Sequence, residues 1–556
     1  MRYLVFIIAA AILIFVLPPV GIVQEDGPQP TILPALPDVP KTGHPKIEYA
    51  LTELLEIRLN QGPEPMKAHA ALREIDMSGD MVRVVVEAKQ PAGLRGAASA
   101  AAILPVQNRL ESLGGRMETQ YENLVQGLIR IEQIESLADT PHVRFVRLPF
   151  KAFPQEVLSE GVNTTKATGW KALSPYRARD EVKICILDAG FTGYSALLGT
   201  ELPASVVTRS FRADGNLLAH VHGTACAEIV HDMVPNAKLY LANFGTDVEH
   251  GRAVDWIIDQ GIHIVSYSMG WYNAGAGDGT GPIGAHVKKA ADSGIVWVSA
   301  AGNSADRHWK GTFNDPNGNG WHNFTADNEI LSWPVNANTP TGAFLRWNDW
   351  GAWSGTNYSG SNQDYDLYFY IWTGSAWQFV TSSTGRQTGS QWPVERTGSW
   401  ISAGTRHWGV AIRKHSATRN VGFNLFTTGS SSPIQYNDPW NSLLIPADSP
   451  QAVTAGATDW NTDAYHAYSS RGPTNDGRIK PDFAAPSGTT GVTYGTRSFF
   501  GTSASAPHLA GAFGLIMEKT PFTAAQVRAL LDDRAKDLGP AGKDNQFGIG
   551  RVQLVK

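Results

Sequence analysis

The sequence predicts an α/β protein: a parallel sheet with helices on both faces, preceded by a small α+β unit and interrupted by an all-β insertion. Three observations carry this. Between residues 181 and 300 four apolar runs, VKICILDAG, AKLYLANFG, HIVSYSMG and IVWVSAAGN, end in small or polar residues and alternate with helical stretches. Continuous buried strands separated by helices imply a parallel sheet covered on both sides. Between 311 and 440 the helical period vanishes and short alternating runs recur between Gly, Ser and Asn turns, as in a β-sandwich or jelly roll. From 81 to 149 the patterns follow the order β-α-β-β-α-β, the split βαβ or ferredoxin-like arrangement.

The elements follow in chain order. Residues 1–23 hold Arg2 and then an unbroken apolar run from Tyr3 to Leu17, the outline of an export signal. No A-x-A site follows, and the apolar stretch continues through Val23, close to the ~20 residues that span a bilayer. A retained signal-anchor therefore competes with a cleaved signal peptide. Both put the bulk of the chain outside the cytoplasm, with membrane attachment only if this segment stays. Residues 24–78 read as a linker with one amphipathic helix, 46–60, and residues 79–150 as the βαββαβ unit. The α/β pattern occupies 151–310 and resumes at 441–556, ending in helices near 504–518 and 523–536. From Trp309 through Trp440, across the interruption at 311–440, lie 12 of the 17 tryptophans. Exposed, these would stack on sugars or grip a partner; buried, they fill a small core, and alternation favours the core.

Composition bounds the function. Hydrophobic residues make up 42% and charged residues 17% of 556, so a disordered chain is excluded. A net charge of −5 lacks the basic footprint of a nucleic-acid binder. Two cysteines make neither a disulfide scaffold nor a Cys-rich zinc site.

Three motifs carry chemistry, in order: ICILDAG with Asp188 ending a buried strand, HVHGTACAEIV with His222 before a helix, and FFGTSASAPHLAG with Ser503 opening a helix. A serine hydroxyl is a weak nucleophile and needs a base. Histidine is that base, and a buried carboxylate fixes its tautomer and stabilises the imidazolium. A fourth motif, VSAAGNSA, sets Asn303 after a strand, where its amide can donate to an oxyanion. Singly, each residue reads as a strand cap, an N-cap or a turn; the joint order gives them weight. His220 competes with His222, but the Gly-Thr and helix start after His222 favour the latter. His231, His466 and His508 read as structural or surface residues.

The order Asp…His…Ser, with D-x-G, H-G-T, A-A-G-N and G-T-S-x-x-A-P, resembles the subtilisin-like serine proteases. SYSMG (266–270), YSSRGPTNDGRIKPDFAAPS (468–487) and KDNQFGIGRVQL (543–554) agree with it. α/β-Hydrolases and chymotrypsin-like enzymes use other chain orders, and sedolisins have glutamate in place of His222. The resemblance implies that Asp188 orients, His222 is the base, Ser503 attacks and Asn303 completes the oxyanion hole with the Ser503 N–H. Ser268-Met269-Gly270 and Ala300-Ala301-Gly302 would bind the substrate backbone. It also casts 79–150 as a propeptide, an intramolecular chaperone and inhibitor of a zymogen, with self-cleavage after about Phe150.

The departures are Ala189 for a Ser or Thr beside Asp188, Glu228 for a Gly on the histidine helix, and Ser505 for an Ala. Trp271 replaces a small residue and could narrow the cleft. Cys226 matches a free-cysteine position beneath the histidine, and an inert thiol is favoured over a bridge to Cys185. The implied activity is an exported serine endopeptidase acting on proteins or peptides, with no required cofactor and no nucleic-acid partner. The competing reading from another class is a catalytically silent scaffold that binds or adheres through the β insert. A hydrolase of non-peptide esters is a third reading, and SYSMG argues against it. Structural calcium is an option at DPNGNG, where Asp315, Asn317 and Asn319 stand at 1, 3, 5 spacing, but the Glu expected at position 12 is Ala326. By its place in the family, the insert flanks the substrate cleft.

Overall fold

The computed structural model describes residues 31–33, 43–73, 75–89, 98–150, 153–154, 161–172 and 181–555. The expected export segment, 1–23, lies outside them. Among the described residues no helix is long and apolar enough to cross a membrane.

The central sheet has seven parallel strands in the order Phe483–Ser487, Ala452–Asp459, Val296–Ala300, Ile264–Tyr267, Lys183–Asp188, Lys238–Asn243, Val207–Ser210. Alternation along Lys183–Asp188 assigns the faces. Ile184 and Ile186 pack with helices His222–Met233 and Thr502–Lys519. Cys185 and Leu187 pack with Asp247–Asp259 and Pro282–Asp292. Both faces are covered, which is why the runs read as continuously apolar. Lys183–Asp188 is the first strand of the sheet in sequence, yet it sits in the interior. Later strands add first on one side and then on the other. The carboxyl ends beside such a reversal form a crevice.

The N-terminal unit has an antiparallel sheet in the order Arg116–Tyr121, Leu124–Arg130, Met81–Ala88, Val143–Arg147, with helix Ala98–Ser112 in the first crossover. Val82, Val84 and Val86 face its core with Val106 and Leu110. Val85 points the other way, against Tyr121, Leu124 and Val248 of helix Asp247–Asp259. The sheet is thus buried on both faces, its outer face by the α/β domain.

Residues 46–73 belong to this unit rather than to a linker. Two helices, Tyr49–Gln61 and Pro63–Leu72, meet at Gly62 (φ +95°) and insert Leu51, Leu54, Leu55, Met66 and Ala70 into the same core. The second helix was hidden by its two prolines, but Pro63 stands at the first turn, where no N–H is needed.

The insertion is two antiparallel sheets. One runs His308–Thr312, Gly422–Thr428, Pro340–Trp347, Val394–Arg396; the other Leu331–Val335, Arg406–Lys414, Tyr365–Trp372, Trp377–Ser383. Trp309, Trp333, Trp347 and Trp408 fill the core between them with Tyr365, Phe369 and Phe423. Its first strand, beginning at His308, pairs with its last, ending at Thr428, so the insertion leaves and re-enters the α/β domain at one place.

Candidate active site

Asp188 ends its strand fully buried. Its Oδ1 accepts the Ala189 N–H at 2.7 Å, and its two oxygens lie 2.8 and 2.9 Å from His222 Nδ1. A carboxylate only accepts, so Nδ1 carries the proton and Nε2 is left as the base. Gly223 makes the approach possible. A Cβ there would lie 2.6 Å from the Gly190 carbonyl oxygen and 2.9 Å from the Asp188 Cβ. Burial alone would lower the His222 pKa, but the charge and hydrogen bond of Asp188, together with Cys226, more than offset it and hold the pKa well above 6.5. His220 does not take this place: its Nδ1 accepts the His222 backbone N–H at 3.1 Å.

Ser503 is the second residue of helix Thr502–Lys519, entered through Gly501 at φ +145°. Its Oγ lies 3.2 Å from the Ser268 carbonyl oxygen, and the Ser268 Oγ donates to the Ser503 carbonyl at 2.9 Å. Cys226, one turn along the histidine helix, sets its Sγ 3.7 Å from that same carbonyl and 4.0 Å from His222 Nδ1. Cys185 and Cys226 are both free and buried, and burial pushes both thiols up, toward the inert protonated form. Asp188, His222 and Ser503 are therefore gathered in one buried cluster with Cys226 behind them.

The Asn303 Oδ1 accepts from both the backbone N–H and the hydroxyl of Thr502, each at 2.9 Å. That fixes the carbonyl end of the amide and turns its Nδ2 donor away from Thr502, one residue from the nucleophile. Gly302 (φ +105°) hydrogen-bonds the Thr502 Oγ1 at 3.1 Å, and Ala301 accepts from the Leu444 N–H at 3.1 Å. Met269 and Gly270 form an antiparallel pair with the chain's own Pro154 and Phe153.

Leu444, outside every motif, and Phe499, at the head of the serine motif but with no role assigned, shape the site. Leu444, buried, lies between the Gly270 and Gly302 backbones. Cβ atoms on these glycines would meet its Cδ1 and Cγ, each at 2.7 Å. Its sequence neighbours are ordinary apolar residues, so nothing in the pattern marks it. Phe499 packs beside His222 with ring centroids 6.1 Å apart, and Glu228 holds its hairpin. The Glu228 carboxylate accepts the Val492 N–H at 2.6 Å, the Thr493 N–H at 3.2 Å and the Thr493 hydroxyl. Glu228→Ala removes the charged acceptor that holds the hairpin turn and is expected to lower stability by about 1–3 kcal/mol, read as a fall in Tm, with Glu228→Gln recovering part of it.

Trp271 does not narrow the cleft. It is buried against Phe244 and His250, and its Nε1 donates to Tyr267 Oη at 2.7 Å. Nor does DPNGNG fit a calcium cage. The Asp315 oxygens accept the Asn319 and Gly320 N–H groups at 3.1 and 3.0 Å. Asn317 and Asn319 turn their Nδ2 donors onto the Glu329 carboxylate at 2.9 and 3.0 Å, rather than oxygens toward a cation.

The Subtilase family model matches residues 179–338 and 388–550. The chain is similar to an extracellular serine protease of Serratia marcescens, 29% identical over 194 residues, covering 32% of this chain and 18% of that protein. It is 36% identical over 126 residues to subtilisin amylosacchariticus of Bacillus subtilis subsp. amylosacchariticus, covering 22% of this chain and 28% of that one. It thus spans under a third of the length of these relatives. Among solved structures, the CspB protease of Clostridium perfringens superposes with a TM-score of 0.50 at 16% identity, over 71% of this chain and 97% of that one, a likeness of fold. With more than half of its length matched by the family model, the chain is a member of the subtilase family of serine proteases.

Proposed function

We propose that the protein is an exported subtilisin-like serine endopeptidase, made as a zymogen that cuts itself. The observation that carries this is the Asp188–His222 pair at 2.8 Å beside Ser503, with the chain's own residues 153–154 paired on Met269–Gly270 as a substrate would be. Ser503 Oγ attacks a carbonyl while His222 Nε2 takes its proton and Asp188 stabilises the imidazolium. The oxyanion forms against the Asn303 Nδ2 and the Ser503 N–H. His222 then protonates the leaving amine, and water releases the acyl group by the same steps in reverse.

The N-terminal unit fits the role of intramolecular inhibitor. It covers helix Asp247–Asp259 through buried contacts: Arg147 pairs with Asp247 at 2.6 Å, and the Thr246 hydroxyl donates to Gln126 at 2.8 Å. The apolar segment at 1–23 and the extracellular relatives support export. The test is intact mass: purified wild type loses its N-terminal unit by a cut within two residues of Pro154. That position follows from the register, because Pro154 pairs with Met269, the neighbour of Ser268, whose carbonyl lies beside the Ser503 Oγ. A fluorophosphonate label on Ser503 gives the second readout.

The residue on the acyl side of the cut meets a pocket too shallow for a large aromatic ring. Its side chain enters the gap between Gly270 and Gly302, which Leu444 fills. Leu444→Ala is expected to raise kcat/KM for substrates with Phe at that position about 100-fold relative to Ala, the scale on which pocket shape discriminates apolar side chains. The cost is about 2–5 kcal/mol of stability from the cavity. An unchanged Phe/Ala ratio in a folded variant overturns this assignment.

A further inference from the structure

The insertion is fastened to the substrate strand. Just past Gly270, the Asn273 Nδ2 donates to the Leu345 and Glu395 carbonyls at 3.0 and 3.1 Å. The Tyr358 hydroxyl accepts the Ala276 N–H at 3.1 Å. These bonds give one part of the insertion a fixed place relative to the cleft. Trp392 is held there by its Nε1–H to Asn357 Oδ1 at 3.0 Å and packs on Trp350 and Tyr358, each with ring centroids 5.6 Å away.

On the face of Trp392 lies Phe150, stacked at 5.6 Å with the rings 15° from parallel. The Arg396 guanidinium is 5.5 Å from the Phe150 ring. Phe150 stands three residues before Phe153, which pairs with Gly270. Three extended residues cover about 10 Å, so the stack belongs to the same run of chain that enters the cleft. A cavity of about 210 Å³ adjoins it, lined by Trp392, Arg396, Tyr272 and Phe344 on one side and by residues of the N-terminal unit such as Glu48 and Arg147 on the other.

We propose that Trp392 and Arg396 form a remote substrate-binding site. It takes an aromatic side chain of the polypeptide substrate, three residues before the residue that pairs with Gly270. Before processing, the chain's own Phe150 fills it; after the N-terminal unit leaves, the same platform faces incoming substrate. Stacking on an indole and contact with a guanidinium both select an aromatic ring over an aliphatic group. The insertion thereby extends recognition beyond the strand common to the fold. This rests on the proteolytic reading above.

The experiment uses self-processed enzyme and two peptides, RLPFKAFPQEVLSE (residues 147–160) and its counterpart with Ala at position 150. Wild type is expected to cut the parent with a kcat/KM about tenfold higher. In Trp392→Ala the two peptides are expected to be cut alike, and Trp392→Phe, which keeps a ring, retains most of the tenfold. The ratio is internal to each enzyme, so a general loss of activity cancels. Should Trp392→Ala lack a cooperative unfolding transition, Trp392→Leu, which keeps bulk without a ring, takes its place. Equal cutting of both peptides by wild type, or a tenfold ratio that survives in the Ala or Leu variant, overturns the remote site and leaves the protease reading intact. Failure of wild type to cut either peptide overturns the remote site, while the protease reading stands or falls separately on self-processing and fluorophosphonate labelling.

Discussion

Ser503→Ala is expected to abolish both self-processing and peptide hydrolysis, with kcat falling about 10⁶-fold, the scale at which a nucleophile acting as a unit with its base is lost. The variant should purify at the full mass of the chain beside a shortened wild type. The substitution is structurally mild. Ser503 is buried at a helix start, and its Oγ makes one hydrogen bond, to the Ser268 carbonyl at 3.2 Å. Alanine favours the helix, so the fold should persist and Tm should hardly move. Each outcome decides something. An uncut variant beside a cut wild type assigns the cut to Ser503. A variant cut as fast as wild type assigns it to another protease. Two uncut proteins that also refuse a fluorophosphonate label favour the silent binding scaffold.

Asp188→Asn carries the second-largest effect, a fall in kcat of about 10⁴-fold with KM nearly unchanged. An amide turns a donor as readily as an acceptor toward Nδ1, so the tautomer with Nε2 unprotonated is no longer enforced. The pH profile tests the electrostatics separately. In the wild type, burial depresses the His222 pKa, and the charge and hydrogen bond of Asp188 with Cys226 together raise it further than burial lowers it. The base is neutral only above that raised value, so kcat/KM should decline as pH falls through a midpoint above 6.5. In Asp188→Asn the raising charge is gone and burial remains, so the midpoint of the residual activity should move to lower pH. A midpoint in Asp188→Asn at or above that of the wild type sinks this account of the pair.

The legibility of this chain was uneven, for physical reasons. The apolar runs from Val182 to Ala300 declared buried parallel strands because both faces of that sheet are covered. The four motifs stood out because the chemistry narrows residue choice so far. Gly223, for instance, must lack a side chain for the histidine helix to reach Asp188. Alternation in the insertion likewise announced a Trp-filled interior. The helix Pro63–Leu72 is not legible in the sequence because it carries two prolines and buries only Met66 and Ala70, too few points for a period to emerge. Glu228 is an oddity in the sequence that only the hairpin at 489–499 explains.

The sequence by itself determined the fold class, the order of the modules and the residue types able to run acyl transfer. Each of these is written in local pattern: periodicity, turn residues and short motifs. The tertiary structure decided what fills the crevice and what sits beside it. Leu444 comes between Gly270 and Gly302, and Trp392 comes under Phe150. Both are long-range contacts in which a plain apolar or aromatic residue meets a partner far away in the chain. Such a contact leaves no local signature, because burial asks only for an apolar group of the right size and says nothing of what it will touch.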